Sequence, residues 1–190
     1  MERVKEMTQC DLNTIIQLHE KWLRGEPGGK KADLRSANLR YADLHNADLR
    51  YANLHNADLR YADLSYADLR GADLRSADLR GAYLSYADLR SADLSGAYLS
   101  YADLRSADLS GADLRYADLR YANVDFSSWP LWCGSLKGVK VDARIARQLA
   151  YHLCSVVCDD PEFTSARKQI LPFANKFHRV DECGKLKKIR

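Results

Sequence analysis

The chain has 190 residues and a formal net charge of +3, a length that suits one domain with terminal additions or two small domains. No apolar run approaches the roughly eighteen residues of a membrane-spanning helix, and the N-terminal residues lack the apolar core of a secretory signal. Five cysteines, an odd number, without such a signal predict reduced thiols and a cytoplasmic location.

The charge divides the chain into three segments. Residues 1–31 carry six basic and five acidic side chains, residues 32–126 carry eleven Arg and fifteen Asp, and residues 127–190 carry twelve basic and six acidic side chains. The middle segment is therefore mildly acidic, and the last segment is basic. Because the acidic segment would repel phosphates, we do not expect direct binding of nucleic acid.

The first segment contains one helix signal. Thr8 to Asp11 form an N-cap and first turn, and Gly25 ends the pattern. The sequence therefore predicts a helix over 8–24, followed by a linker to residue 31. Its apolar positions, at helical spacing, are Leu12, Ile15, Ile16, His19, Trp22 and Leu23.

The middle segment, residues 32–126, is one five-residue phrase written nineteen times. Each phrase begins with Ala and has Leu at its third position, with Val124 in the last phrase. The second position is Asp or Asn, except at Tyr83 and Tyr98. The fourth is mostly Arg, His or Ser, and the fifth is mostly Ser, Tyr, Asn or Gly. An unbroken short period is typical of a solenoid.

A period of five fits neither a helix nor a straight strand. Successive Leu would point in all directions on a helix and would alternate between opposite faces on a strand. Ala and Leu share one side of an extended segment, so the chain must turn after each phrase to return both to one core. The side chains expected in this core are Leu34, Leu39, Leu44, Leu49, Leu54, Leu59, Leu64, Leu69, Leu74, Leu79, Leu84, Leu89, Leu94, Leu99, Leu104, Leu109, Leu114 and Leu119.

The phrase Ala-(Asp/Asn)-Leu-x-x resembles that of the pentapeptide repeat family, and the resemblance covers residues 32–126, which are half of the chain. The resemblance implies an all-β solenoid, a right-handed quadrilateral β-helix with four phrases in each coil. Because the ends of a solenoid expose apolar side chains and open strand edges, both ends need covering. We therefore expect an N-terminal helix cap with its linker in 1–31, the β-helix in 32–126 and a helical C-terminal module in 127–190.

Four phrases in each coil would stack residues twenty apart in columns on four faces. One face carries columns of Arg and Tyr and is the candidate interaction face. A second face has Arg50, Arg70 and Arg90 beside a column of Asp, and a third face is poor in Arg. Columns of Arg and Tyr suit a nucleic-acid surface, because Arg neutralises phosphates and Tyr stacks on bases. The alternative is that each Arg pairs with the Asp two residues earlier, which would leave only a solvated ion-pair lattice. The candidate interaction face consists of Arg40, Tyr41, Arg60, Tyr61, Arg80, Tyr101, Arg120 and Tyr121.

An apolar cluster around Pro130 follows the repeat. We expect it to cover the last coil, and the alternative is a partner-binding patch, which would also suit a homodimer joined through the C-terminal region. The candidate C-terminal interface consists of Phe126, Trp129, Leu131 and Trp132.

Two helices are predicted in the last segment. Asp142 is an N-cap signal for a helix over about 143–158, and Pro161 begins a second helix that Pro172 should break or kink. The expected apolar face of the first is Ile145, Leu149, Leu153 and Val156, and that of the second is Phe163, Ala166 and Ile170. The order of the segment is similar to the C-terminal modules of phage and bacterial pentapeptide repeat proteins, and implies no activity.

The last segment also holds the side chains with metal-ligand character. Zinc needs four ligands, usually with two cysteines two residues apart, and that spacing is missing here. We therefore expect core thiols, no metal and no cofactor. The weak candidates are His152, Cys154, Cys158, His178 and Cys183.

The sequence lacks a nucleophile–base pattern, and a convex rod has no cleft for two facing carboxylates, so no enzyme is expected. The first functional interpretation is a non-catalytic scaffold that binds a protein partner. The second is a DNA mimic that modulates a type II topoisomerase, since some proteins of the family resemble B-DNA and bind gyrase. The near balance of Arg and Asp in the repeat and the basic last segment favour the scaffold.

Overall fold

The computed structural model describes residues 8–130, 135–155 and 161–176. These ranges contain three helices, which are α1 (Gln9–Leu23), α2 (Ala143–Ser155) and α3 (Pro161–Ala174). None of the three is long and apolar enough to cross a membrane. The chain divides into two compact units, and the boundary lies between Lys140 and Val141. The unit up to Lys140 holds the coils of the repeat.

The repeat folds into coils of twenty residues. Single-residue parallel bridges join the second position of each phrase to the position twenty residues later, from Asp33–Asn53 to Asp108–Ser128. Backbone hydrogen bonds between coils measure 2.7–3.2 Å. In the bridges within the repeat, the residue of the later coil donates its N–H to the preceding coil and accepts with its C=O from the same coil. At Ser128 the side-chain Oγ accepts in place of the C=O. Four phrases therefore complete one coil.

A turn at every fifth residue bends the chain from one face to the next. The N–H of Ala37 donates to the C=O of Leu34, and the same bond recurs in the following phrases. The fifth residue of each phrase has a φ between 53° and 72°, as the third position of a type II turn requires. Fifteen of these corner residues are not glycine, and none is β-branched, because a β-branched side chain is strained at positive φ.

The core is a column of leucines along the axis of the coils. All eighteen Leu of the repeat are only 0–2% exposed, and Val124 is fully buried. The Ala residues pack beside them at 0–9% exposure, with the exception of Ala37, which is half-buried in the first coil. Apolar burial thus follows the phrase, with its first and third residues inside.

The coils continue past residue 126, where the sequence pattern ends. Ser128 bridges Asp108, twenty residues earlier, whereas Lys140 bridges Asp118, twenty-two residues earlier. The segment after the repeat therefore extends the β-helix with two additional residues in its path. Backbone pairing does not need the phrase, because any residue supplies the same N–H and C=O groups.

The predicted N-terminal helix is observed as α1. Thr8 and Asp11 form a capping box, in which each side chain accepts from the backbone N–H of the other residue. Leu12 and His19 are buried, whereas Trp22 is 38% exposed. The side of the helix that faces the coils therefore carries Leu12 and His19, two buried side chains that lie two helical turns apart.

Helix α1 is hydrogen-bonded to the first coil at two places. The Gln9 side-chain amide donates to the Asp43 C=O at 2.8 Å and accepts from the Asp43 N–H at 3.1 Å. These two bonds replace those that a preceding coil would make. His19 accepts from the Ala32 N–H through Nδ1 at 3.0 Å, and its Nε2 lies 3.0 Å from the Arg50 C=O. Since Nδ1 must accept, His19 is neutral and its proton is on Nε2.

The second unit contains α2 and α3, which pack against each other through Tyr151, Cys154, Leu171 and Ala174. Asp142 caps α2 as expected, because its Oδ1 accepts from the N–H groups of Arg144 and Ile145.

Two expectations for this unit are wrong. Leu153 was expected on the buried face of α2 but is 48% exposed, because the buried face runs through Ile145, Gln148, Tyr151 and Cys154. A buried face at spacings of three rotates away from the predicted spacing of four. Ala166 was expected on the apolar face of α3 but is exposed, because the buried residues of this helix are Leu171 and Ala174. Pro172 lies inside α3 and does not break it, since the helix continues to Ala174. Val156 lies outside the described residues.

We expect Leu79→Asp to unfold the rod. Leu79 is fully buried, and an unpaired carboxylate in an apolar core costs several kcal/mol, a large part of the about 5–15 kcal/mol that stabilises a domain. Tyr83→Asp is the matched control, since Tyr83 points outward between Asp63 and Asp103 of the same column. Circular dichroism melts measure both. A Leu79→Asp melt like that of Tyr83→Asp would contradict the inward placement.

Stability should fall as the pH drops below about 6.5, the ordinary pKa of histidine. Burial lowers the pKa of His19, which outweighs the attraction of Asp48. The unfolded chain therefore takes up a proton in a range where the folded chain does not, and this stability, present at neutral pH, is lost in acid. His19→Gln keeps a donor and an acceptor but does not titrate. Urea unfolding at several pH values should give a shallower pH slope for His19→Gln, and equal slopes would count against this role.

Candidate interaction surface

Aspartate at the second phrase position builds the turn and holds the arginine. The Asp73 Oδ1 accepts from the Arg75 backbone N–H at 3.2 Å and from its Nε at 2.8 Å, and the Asp73 Oδ2 accepts from the Arg75 NH2 at 2.6 Å. Asn serves the turn equally, because the Asn53 Oδ1 accepts from the His55 N–H. A short side chain with an acceptor oxygen at the second position therefore supports the turn, although the phrases of Tyr83 and Tyr98 turn without one.

Ten of the eleven Arg in the repeat form such a pair with the Asp two residues earlier. Several also reach the Asp of the next coil, as Arg60 reaches Asp78 at 3.4 Å. Hydrogen bonding to Arg60 lowers the pKa of Asp58, and hydrogen bonding to Arg75 lowers the pKa of Asp73. These arginines, although on the surface, are thus already paired with aspartates of the same protein.

The candidate face of Arg and Tyr is placed as columns, but most of its charge is neutralised. Arg60, Arg80 and Arg120 are paired with aspartates of their own phrases. Arg40 follows Asn38 and, within the described residues, has no ion pair; its guanidinium lies 5.6 Å from the Tyr41 ring. A phosphate-binding role would need free guanidinium groups, and this face offers them only at its first coil.

A neighbouring face carries most of the net negative charge of the repeat. We call it the acidic face and define it as the outward residues of the third phrase in each coil. It has four Asp against one Arg, whereas the other three faces together have eleven Asp and ten Arg. Its members are Asp43, His45, Asp63, Ser65, Tyr83, Ser85, Asp103, Arg105, Asn123 and Asp125. Within the described residues, Asp43 and Asp63 have no Arg, Lys or His within ion-pair distance.

Two columns of aromatic corner residues border the acidic face. On one side, Tyr41 stacks on Tyr61 with ring centroids 5.4 Å apart. On the other side, Tyr66 stacks on Tyr86 at 4.9 Å. These four rings are between 48% and 67% exposed. The face therefore combines unpaired carboxylates with flat apolar surface at its edges, a composition found at protein interfaces.

The Tyr41–Tyr61 stack ends where Gly81 takes the next corner. A Cβ added to Gly81 would lie 2.6 Å from the Tyr61 ring, and one added to Gly71 would lie 2.7 Å from the Tyr51 ring. The aromatic ring lies over the glycine because no side chain is there. Glycine at these corners therefore serves both the positive φ and the close approach of a ring.

The candidate C-terminal interface is only partly described. Phe126 occupies a corner with a φ of 61° and is 72% exposed, so it does not cover the last coil as expected. Corner side chains point away from the core, and this explains the difference. Trp129 is half-buried and Pro130 is buried, while Leu131 and Trp132 lie outside the described residues.

The metal candidates are likewise divided. Cys154 is buried between α2 and α3, where burial raises the pKa of its thiol, and His152 is exposed on α2. In the described ranges, no three His, Cys, Asp or Glu side chains are grouped as a metal site requires. Cys158, His178 and Cys183 lie outside these ranges.

The acidic face was visible in the sequence only as a face poor in Arg. Its distinguishing signal is that Arg stands two residues after most Asp of the repeat, whereas His45 follows Asp43, Ser65 follows Asp63 and Ser85 follows Tyr83. Asp43 and Asp63 lack both an Arg two residues later and an Arg eighteen residues earlier. Asp93 and Asp108 are also followed by Ser, but they pair with Arg75 and Arg90 of the preceding coil. Tyr66 and Tyr86 were not among the predicted interaction residues. Each lies at a corner between two faces, and a corner residue had been counted with only one of the two.

The chain belongs to the pentapeptide repeat family. The family profile, described as pentapeptide repeats, matches eight copies over residues 30–61, 57–96 and 92–125. Proteins of this family fold as right-handed quadrilateral β-helices, in agreement with the twenty-residue coil described above. Among proteins with curated functions, none matches the chain.

Several solved structures are similar to the chain. The pentapeptide repeat protein Rfr23 of the cyanobacterium Cyanothece 51142 is 34% identical over 53% of this chain and 60% of its own, with a TM-score of 0.36. A thylakoid-lumen pentapeptide repeat protein of Arabidopsis thaliana is 27% identical over 67% and 78%, with a TM-score of 0.32. QnrB1, a plasmid-mediated fluoroquinolone resistance protein, is 25% identical in a trypsin-treated variant over 67% and 75%, with a TM-score of 0.37.

Gly81→Ala should destabilise the rod more than Gly111→Ala does. Both corners have a positive φ, which costs about 1–2 kcal/mol for a residue with a Cβ. Only at Gly81 would the Cβ displace a tyrosine ring, whereas at Gly111 its nearest neighbour is the Ser91 hydroxyl at 3.3 Å. We expect about 1 kcal/mol between the variants in urea unfolding, the typical value of an aromatic contact. Equal midpoints would show that the ring contact contributes nothing.

Proposed function

We propose that the chain is a non-catalytic scaffold that binds a basic surface of a protein partner through its acidic face. The observation that supports this proposal is the separation of charge. All arginines on the other faces except Arg40 are paired with aspartates, whereas Asp43 and Asp63 have no ion pair in the described part of the chain. Unpaired charge attracts a partner, while charge already paired at the surface contributes little.

The aromatic borders support the same proposal. Tyrosine rings at the corners supply apolar area with few rotatable bonds, and their stacking holds them in place before a partner arrives. A basic partner with Arg or Lys side chains would gain cation–π contacts at these rings in addition to attraction by the carboxylates. We also infer that α1 caps the first coil, which would keep the face rigid at its N-terminal end.

Removal of two carboxylates from the acidic face should abolish capture of the partner. Asp43→Asn with Asp63→Asn retains the turn, because Asn53 shows that an amide oxygen accepts the same backbone N–H. Asp33→Asn with Asp48→Asn makes the same change of charge outside the face and is the control. Affinity capture from cells of the source organism, at low and high salt, measures both. We expect a basic protein to be retained by the wild type and the control and lost from the acidic-face variant.

Either of two results would overturn the acidic face as the binding surface. One is equal loss of the captured protein with both double variants, which would indicate a general effect of charge. The other is capture that does not weaken with salt, because contacts between exposed charges are screened. Urea unfolding of each variant would show that the fold is retained.

The second candidate is modulation of a type II topoisomerase by mimicry of DNA. The concentration of negative charge on one face favours it, since a mimic must present acidic surface. A gyrase supercoiling assay separates the two candidates. Inhibition or protection by the wild type at micromolar concentration, reduced in the Asp43→Asn, Asp63→Asn variant, would support mimicry. Unchanged supercoiling would rule out mimicry and leave the scaffold as the remaining candidate.

A further inference from the structure

The first coil has an open backbone edge that lies outside the acidic face. In later coils, the second residue of each phrase donates its N–H to the preceding coil, as Asn53 donates to Ala32. The first coil has no preceding coil, and Gln9 replaces it only at Asp43. Within the described residues, the backbone N–H and C=O groups of Asp33 and Asn38 have no hydrogen-bond partner, and both residues are exposed.

An edge of this kind is a template for another extended chain. Unpaired N–H and C=O groups in register bind a strand through its backbone, and side chains beside the edge select its sequence. The incoming segment would run parallel to 37–39, because all coil bridges are parallel. It would accept from the Asn38 N–H and donate to the Asn38 C=O, the two bonds that the rod makes at each later bridge.

Charge beside the edge selects an acidic segment. Arg40 is the one arginine of the repeat without an ion pair in the described part of the chain, because Asn38 stands where other phrases have Asp. Some aspartates also attract an arginine of the next coil, as Asp58 attracts Arg80 and Asp48 attracts Arg70. A carboxylate opposite Asn38 would have the same relation to Arg40.

The neighbouring corner selects an aromatic residue. Tyr41 is 67% exposed and stacks on Tyr61 on one side only. A corner follows the bridged residue by three positions, as Tyr41 follows Asn38. An aromatic side chain three residues after the acidic one would therefore continue the stack of Tyr41 and Tyr61.

We propose that the first-coil edge at Asp33 and Asn38 binds an extended acidic segment of a partner protein, which adds as a parallel strand. The segment carries an acidic residue opposite Asn38 and an aromatic residue three positions later. This site lies beyond the proposed function, because it uses backbone groups and Arg40 and none of the carboxylates of the acidic face.

A synthetic peptide tests this proposal on the full chain. The probe is Ala-Asp-Leu-Ser-Tyr written twice with blocked ends, and the control peptide has Lys in place of Asp. Amide shifts in two-dimensional NMR report binding. We expect saturable shifts at Asp33, Asn38 and Tyr41, and roughly tenfold weaker binding of the Lys peptide, since it loses an attraction and gains a repulsion at Arg40.

Protein variants locate the site. Asn38→Pro removes the edge donor, and also the Oδ1 that accepts from the Arg40 N–H, so Asn38→Ala, which removes only that Oδ1, is its control. Asn38→Pro should bind about tenfold more weakly than Asn38→Ala, the value of one hydrogen bond. Arg40→Gln keeps the backbone intact and should weaken binding roughly two- to fivefold. Arg120→Gln, at the same phrase position in another coil, and the Asp43→Asn, Asp63→Asn variant should bind like the wild type.

Three results would overturn the proposal. The first is absence of shifts at Asp33 and Asn38 at millimolar peptide, and the second is equal binding of the acidic and Lys peptides. The third is concentration-dependent broadening of the same amides without peptide, which would assign the edge to a second copy of the chain. Loss of peptide binding in the Asp43→Asn, Asp63→Asn variant would instead place the peptide on the acidic face.

Discussion

The positive φ at every fifth residue is the constraint on which the rest of the rod depends. It turns the chain after each phrase, so that Ala and Leu return to one core and the second residue returns to one ladder of bridges. Apolar burial alone would not fix the period, since leucines pack in many arrangements. The turn fixes it, and the aspartate at the second position holds the turn through its side-chain oxygen. A single carboxylate thereby serves the fold first and the arginine second.

That double use explains why so charged a rod offers so little free charge. Arginine and aspartate two residues apart close a bidentate pair on the turn, and neighbouring coils connect many of these pairs. Where the sequence omits arginine, the carboxylate at Asp43 or Asp63 is retained for the turn and left open to solvent. Where it replaces aspartate by Asn38, Arg40 is released in turn. The two binding surfaces proposed here are therefore the positions at which this pairing is incomplete.

Much of this structure could be predicted from the sequence, because it repeats one local rule. The period predicted the inward leucines, the family resemblance implied the twenty-residue coil, and the capping signal at Thr8 predicted the helix before the repeat. Features that depend on the absence of the rule were harder to foresee. The sequence does not show that Lys140 forms a bridge with Asp118 after two additional residues, because the bridge uses backbone groups and these do not depend on the side chain. Leu153 was misplaced because thirteen residues with mixed spacing allow more than one apolar face. Tyrosine at positive φ could not be foreseen from the sequence, and it occurs both in stacked rings, as at Tyr66, and outside them, as at Tyr51.

The contact of α1 with the rod has a consequence for the length of such proteins. Gln9 and His19 bind only main-chain atoms, those of Asp43, Ala32 and Arg50. Equivalent atoms occur in each coil, whatever its side chains. Insertion or loss of whole twenty-residue units would therefore leave the helix with the same partners, and the rod would change its reach without a new terminus. The length of the rod could therefore change in steps of one coil while α1 stays bound at its N-terminal end, because the hydrogen bonds involved do not depend on the side chains of the repeat.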